Sequence, residues 1–252
     1  MDLYYEVQGK GARVVLIHSP GVDSREWKFI APILAQSFQV ITFDGRGTGK
    51  SPAPTVPVNL VEDLKRLLDH LNIGQAVLIG HSMGGQAAAD FALTYPSMVS
   101  QLILLAPSLS GFSYSKEFTE WLAQVNSFAP DLDKMIGTSL AGPNYRVVMS
   151  SPQRDFLIEM HTDYMRRVFT EWKSFEVNWP QPPAIERLEE ISAPTLFLQG
   201  TVEWGDMARV AEEYKRVPSC KIIRIEGADH MLTLTHPAET AGSIEQFLKD
   251  LV

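Results

Sequence analysis

Ala76-Val77-Leu78-Ile79-Gly80-His81-Ser82-Met83-Gly84-Gly85 is the stretch whose reading decides the fold. A short apolar run ends at Gly80, Ser82 follows, and Gly84 and Gly85 lead into Gln86-Ala87-Ala88-Ala89-Asp90-Phe91-Ala92. A short apolar run closed by glycine reads as a buried strand, and an alanine-rich segment reads as a helix. Gly80-x-Ser82-x-Gly84 between them is a strand–turn–helix pattern that forces a serine into a tight, strained turn with its hydroxyl exposed. The glycines have a steric role, because a side chain at Gly80 or Gly84 would collide with the neighbouring strand or helix.

Outward from this turn, strand-length apolar runs recur at 14–18, 39–44, 76–80, 102–107, 195–200 and 221–226. They are rich in Val, Ile and Leu with little alternation, as strands buried on both faces are. Helix-like segments separate them at 24–37, 58–71, 82–95, 206–216 and 237–251. The fold class expected is α/β: a mostly parallel central sheet flanked by helices. In such sheets the site lies beyond the carboxyl ends of the strands.

One interval breaks the rhythm. Residues 108–194 look helical at 116–128, 132–139 and 153–172 and are rich in Met and aromatic residues such as Trp121, Tyr145, Met165 and Phe169. The expectation is a helical lid inserted before the penultimate strand, with a core made of 1–107 and 195–252. Most of its aromatic residues are read as its own core, and a few as lining for an apolar pocket.

The net charge of the 252 residues is -8, with no basic run longer than Arg166-Arg167, so nucleic acid is not an expected partner. Cys220 is the only cysteine, which excludes an internal disulfide and fits a reducing compartment. The N-terminal Met1-Asp2-Leu3-Tyr4-Tyr5-Glu6 has an acid where a signal peptide needs bases, and no apolar run reaches membrane-spanning length. A cytoplasmic protein with a small-molecule substrate and no membrane association is expected. The oligomeric state is not legible. Gly45-Arg46-Gly47-Thr48-Gly49-Lys50-Ser51 ends like a phosphate-binding loop, but Asp44 occupies the place of its first glycine. Pro52, Pro54 and Pro57 also interrupt the helix such a loop requires. With no metal-ligand spacing and no dinucleotide fingerprint, no cofactor is expected.

These pieces together resemble the alpha/beta-hydrolase superfamily, in its lidded serine esterase, lipase and lactonase branch. The stretches that carry the resemblance are Leu16-Ile17-His18-Ser19-Pro20-Gly21, Phe43-Asp44-Gly45-Arg46-Gly47-Thr48-Gly49-Lys50-Ser51, Gly80-His81-Ser82-Met83-Gly84-Gly85, Pro194-Thr195-Leu196-Phe197-Leu198-Gln199-Gly200 and Gly227-Ala228-Asp229-His230. Their order and spacing match, and they span nearly the whole chain outside the insertion. The resemblance implies Ser82 as nucleophile; the dehalogenase and epoxide hydrolase branches place Asp there. It implies His230, shortly after the last strand, as the base. His18 would brace the first loop, His81 would point away from the reacting face, and His70 and His236 would lie on or beside helices. His161, in the insertion, is placed to touch substrate, with a packed or surface role as the default reading.

The acid is implied by the same resemblance. The family most often has Asp three residues after the glycine ending the penultimate strand; here that position is Glu203. Asp206 is the alternative, since the order Ser…Asp/Glu…His holds for either. The position after the 102–106 strand offers only Pro107 and Ser108. Asp44 and Asp229 are read as structural. For the oxyanion hole the resemblance implies the backbone N–H of Met83 and a second N–H from the loop His18-Ser19-Pro20. Proline has no N–H. Either Ser19 or Gly21 donates its N–H instead, or the Ser19 hydroxyl substitutes, or the reaction makes light demands on the hole; Ser19 is the expected donor.

The function implied is a cofactor-free serine hydrolase that cleaves small carboxylic esters or lactones through an acyl-enzyme on Ser82. Two rivals stand beside it. One is a C–C bond hydrolase of ring-cleavage products, although Met231 sits where such relatives often carry Trp. The other is a non-catalytic ligand-binding or signalling protein on the same fold. Arg146, Arg154, Arg166 and Arg167 are the arginines available to hold a substrate carboxylate, with solvated or ion-paired surface roles as the default.

Overall fold

Seven strands form one sheet: β1 (Tyr5–Gln8), β2 (Arg13–Ile17), β3 (Gln39–Phe43), β4 (Ala76–His81), β5 (Val99–Leu105), β6 (Thr195–Gly200) and β7 (Cys220–Ile225). They are seen in a computed structural model that describes residues 1–250. The spatial order is β1-β3-β2-β4-β5-β6-β7, with β1 antiparallel to β3 and every other pair parallel. The apolar runs set this register: Leu78 lies between Val15 and Leu102, and Ile79 between Leu16 and Ile103. All six residues of β4 are buried, so the strand that leads into Ser82 is fixed on both faces. The mostly parallel α/β class expected from the sequence is the observed one.

Nine α-helices accompany the sheet among the described residues: α1 (Ala31–Leu34), α2 (Leu60–His70), α3 (Met83–Thr94), α4 (Lys116–Ser127), α5 (Leu132–Leu140), α6 (Arg154–Thr170), α7 (Gly205–Tyr214), α8 (Leu232–Thr235) and α9 (Pro237–Lys249). One face of the sheet packs Leu64 of α2, Phe91 of α3 and Val210 of α7 in a single core. The other face packs Trp27, Leu34 of α1, and Ile244 and Phe247 of α9. Each such fully buried side chain contributes roughly 1.5–3 kcal/mol.

Two expected helices differ. The 24–37 segment is a 3-10 turn, Ser24–Trp27, followed by the short α1. Pro32 has no N–H to give a preceding turn, so it stands only in the first turn of α1 and breaks the longer helix. The expected end of the last helix at Leu251 lies outside the described residues; α9 is seen to Lys249.

α4, α5 and α6 come from the segment between β5 and β6. Their apolar residues Ile136, Leu140, Leu157 and Met160 form a third core with Val22, Met231 and Leu234. Val22 follows β2 while Met231 and Leu234 follow β7, so the inserted helices sit over the carboxyl ends of the strands. No helix among the described residues is long and apolar enough to cross a membrane.

Candidate active site

Ser82 has φ 54° and ψ -120°, a conformation that costs a non-glycine residue free energy and persists only when its surroundings impose it. The surroundings do so with three hydrogen bonds. The Ser82 N–H donates to the Leu105 carbonyl at 2.9 Å, and the Ser82 carbonyl accepts from Gln86 and Ser108 N–H, each at 3.0 Å. Glycines let the chain pass this closely: a Cβ on Gly80 would strike the backbone of Gly84, and a Cβ on Gly84 would strike the carbonyls of Ile17 and His18. Met83 is the first residue of α3, so its N–H has no partner within the helix.

His230 stands after β7 and is 7% exposed. Its Nδ1 lies 3.0 Å from Glu203 Oε2, while Glu203 Oε1 accepts the Gly200 N–H at 2.6 Å. Glu203 is thus tied back to the end of β6. With the Nδ1 proton given to a carboxylate, Nε2 keeps its lone pair. The hydrogen bonds of the described residues include none between the Ser82 hydroxyl and the His230 ring; both groups face one cavity. Such bonds often tighten only around substrate.

Asp206, the alternative acid, is engaged elsewhere. It accepts the Ser115 N–H at 3.0 Å and the Ser115 hydroxyl at 2.6 Å, and it pairs with Arg209. It anchors the start of α4. Asp229 accepts the N–H groups of Val147 and Val148, each at 2.8 Å, and that of Met231 at 3.2 Å. Burial pushes its carboxyl above the ordinary range, and these N–H groups partly offset the rise. Asp44 accepts the N–H groups of Ser24 at 2.9 Å and Lys50 at 2.8 Å. His18 accepts the Gly45 N–H on Nε2 at 2.9 Å, which leaves Nδ1–H to donate to the Ser19 carbonyl at 2.7 Å. That bond braces the first loop.

The expected oxyanion role of Ser19 meets a correction. The Ser19 N–H donates to Glu26 Oε2 at 2.8 Å and its hydroxyl lies 3.3 Å from Glu26 Oε1, so both donors are turned onto one buried carboxylate. No sequence motif marks Glu26. It is 0% exposed and also meets His81 Nδ1 and the Thr233 hydroxyl. His81 in turn donates Nε2–H to the His230 carbonyl at 2.8 Å. Both ring nitrogens of His81 therefore face acceptors, which makes it an imidazolium paired with a carboxylate. Burial opposes both charges. Mutual attraction and the hydrogen bonds outweigh it, lowering the Glu26 carboxyl and raising His81. This pair ties the loop after β2, the serine turn and the loop carrying His230 to one another.

The cavity shared by Ser82, Met83 and His230 has a volume of about 590 Å³. Its lining includes the aromatic and aliphatic residues Phe118, Trp121, Val125 and Val168. It also includes Asn144, Tyr145 and His161. Leu122, Phe169 and Phe175 also line it and are 44%, 41% and 65% exposed, which puts them at its mouth. No Lys, Arg, Asp or Glu lines it. Arg146, Arg154, Arg166 and Arg167, with surface roles as their default reading, do not line the cavity: Arg167 donates to the carbonyls of Gly49 and Ser51, and Arg166 pairs with Asp163. A larger surface groove of about 950 Å³ contains Arg166 and Arg167, but Ser82 and His230 do not line it. His161 is buried with no hydrogen-bond partner on Nδ1, and burial pushes its pKa down to about 4.

Residues 14–243 match the model of the alpha/beta hydrolase family. An sn-1-specific diacylglycerol lipase of Danio rerio, ABHD11, is 30% identical over 274 aligned residues that take in 99% of this chain and 83% of that one. The structure of MenH from S. aureus superposes with a TM-score of 0.80 at 21% identity and covers 98% of both chains. The enol-lactonase from Burkholderia xenovorans LB400 superposes with a TM-score of 0.78 at 19% identity, covering 98% of this chain and 96% of its own. At these identities the two structures speak for the fold alone. With its sheet order, its serine turn after β4 and the match over 14–243, the chain belongs to the alpha/beta hydrolase family.

Proposed function

We propose that this chain is a cofactor-free serine hydrolase of small, uncharged carboxylic esters or lactones. One observation carries the reading: the strained Ser82 turn and the Glu203-bound His230 open on the same cavity. Ser82 Oγ attacks the substrate carbonyl while His230 Nε2 takes its proton, and Glu203 stabilises the imidazolium that forms. The Met83 N–H meets the developing oxyanion. His230 then returns the proton to the leaving oxygen. Water activated by the same ring cleaves the acyl-enzyme and frees Ser82. The helices inserted between β5 and β6 act as the lid, with the aromatic lining residues of the cavity taking the apolar part of the substrate.

The lack of a charged lining residue supports an uncharged substrate, because a carboxylate moved there loses water and gains no cation. It weighs against ring-cleavage dienoates, which carry carboxylates. The Danio rerio relative is a lipase and the Burkholderia protein a lactonase, and both fit the ester class. The test compares p-nitrophenyl butyrate with the p-nitrophenyl half-ester of succinate. The butyrate ester should be hydrolysed, the anionic ester should have a kcat/KM lower by roughly tenfold or more, and Ser82→Ala should abolish both. A preference for the anion, or turnover that survives Ser82→Ala, would overturn the reading.

A further inference from the structure

In the loop after β2 only the Gly21 N–H is left as a second oxyanion donor. Pro20 has no N–H, and both donors of Ser19 are held by Glu26. His161 of α6 faces the gap. A Cβ built on Gly21 would lie 3.1 Å from both Cε1 and Nε2 of His161, so this edge of the ring rests on the residue next to Pro20. The same cavity is lined by Pro20, Gly21, Ser82, Met83 and His161. The ring is held in place: Tyr145 meets it edge-on with centroids 5.7 Å apart, and the preceding Met160 and Leu157 are both 0% exposed.

Resting on the serine-hydrolase reading, we propose that His161 Nε2–H supplies the second oxyanion donor in place of the N–H that Pro20 cannot give. Nδ1 of His161 is buried without a partner. A proton there would be a donor with no acceptor, whereas on Nε2 it faces the cavity and a substrate oxygen. Burial keeps the ring neutral at pH 7, its pKa being about 4. A neutral imidazole on a packed helix is a preorganised donor for developing negative charge. No bond to His161 forms or breaks; its proton stays on Nε2 while the carbonyl electrons move onto oxygen and back.

The test measures kcat and KM on p-nitrophenyl butyrate, and the rate of fluorophosphonate labelling, for wild type, His161→Leu, His161→Gln and His161→Asn. His161→Leu keeps bulk but has no donor; it should lower kcat roughly 10²–10³-fold with KM within about threefold, and slow labelling in step. The Gln amide reaches the Nε2 position and the shorter Asn amide does not, so His161→Gln should stay within about tenfold of wild type and His161→Asn should not. A kcat for His161→Leu within about threefold of wild type overturns the proposal and returns the role to the Gly21 N–H. Should the Leu variant not fold, equal kcat values for the Gln and Asn variants overturn it as well. A wild type that neither turns over ester nor labels at Ser82 removes the hydrolase reading itself, and the role of His161 with it. Turnover and labelling in the wild type beside an unaffected His161→Leu remove the role of His161 alone.

Discussion

Glu203 and Asp206 stand three positions apart and have different work. Glu203 is held by the Gly200 N–H and holds His230; Asp206 holds Ser115 and Arg209. Glu203→Gln should lower kcat on p-nitrophenyl butyrate by roughly 10³–10⁴, because the amide neither fixes the tautomer nor offsets the imidazolium. Asp206→Asn should leave kcat within a few fold while costing about 1–3 kcal/mol of stability in urea unfolding, since the charge-assisted bonds to Ser115 are weakened. The reverse pattern would exchange their roles. Glu203 is legible in the sequence because its distance from Gly200 is fixed there. Glu26 is not: beside Arg25 it reads as an ordinary surface acid. Its partners His81 and Thr233 lie 55 and 207 residues away, so only the fold reveals the buried pair. For His161 the sequence leaves substrate contact open beside a packed or surface role, since nothing local tells a cavity-facing helix position from a core-facing one.

The serine turn is the element on which the rest converges, and its glycines are there for contact rather than flexibility. A methyl on Gly84 would meet the backbone of Ile17 and His18, which cannot swing aside as a side chain can. Gly84→Ala should therefore destabilise by about 1–3 kcal/mol or more in thermal unfolding and weaken labelling of Ser82, because α3 must retreat from β2. An unchanged melting temperature would contradict this account of the turn. Buried strands are legible from their Val, Ile and Leu runs. β1 is not, being an edge strand whose Tyr5–Gln8 residues are not buried and carry no apolar run. The 24–37 segment reads as one helix because its apolar periodicity hides the interruption at Pro32.

At the scale of the molecule, the sheet brings Ser82, Glu203 and His230 to its carboxyl edge, and the inserted helices roof that edge through the core that includes Val22, Met160 and Met231. The three residues stand just after β4, β6 and β7, so the parallel run of these strands carries them to one edge, and a mostly parallel sheet is legible in the alternation of apolar runs and helices. The character of the cavity is not. Whether an arginine on α6 points inward or outward depends on the helix's rotation against the sheet, and here Arg166 and Arg167 point to another groove. The central claim is that Ser82 is an activated nucleophile. It is tested most directly by treating the protein with a fluorophosphonate and locating the adduct by peptide mass spectrometry. The account predicts one adduct on Ser82, absent from Ser82→Ala and slowed by Glu203→Gln; an unmodified Ser82, or labelling that persists in Ser82→Ala, would contradict it.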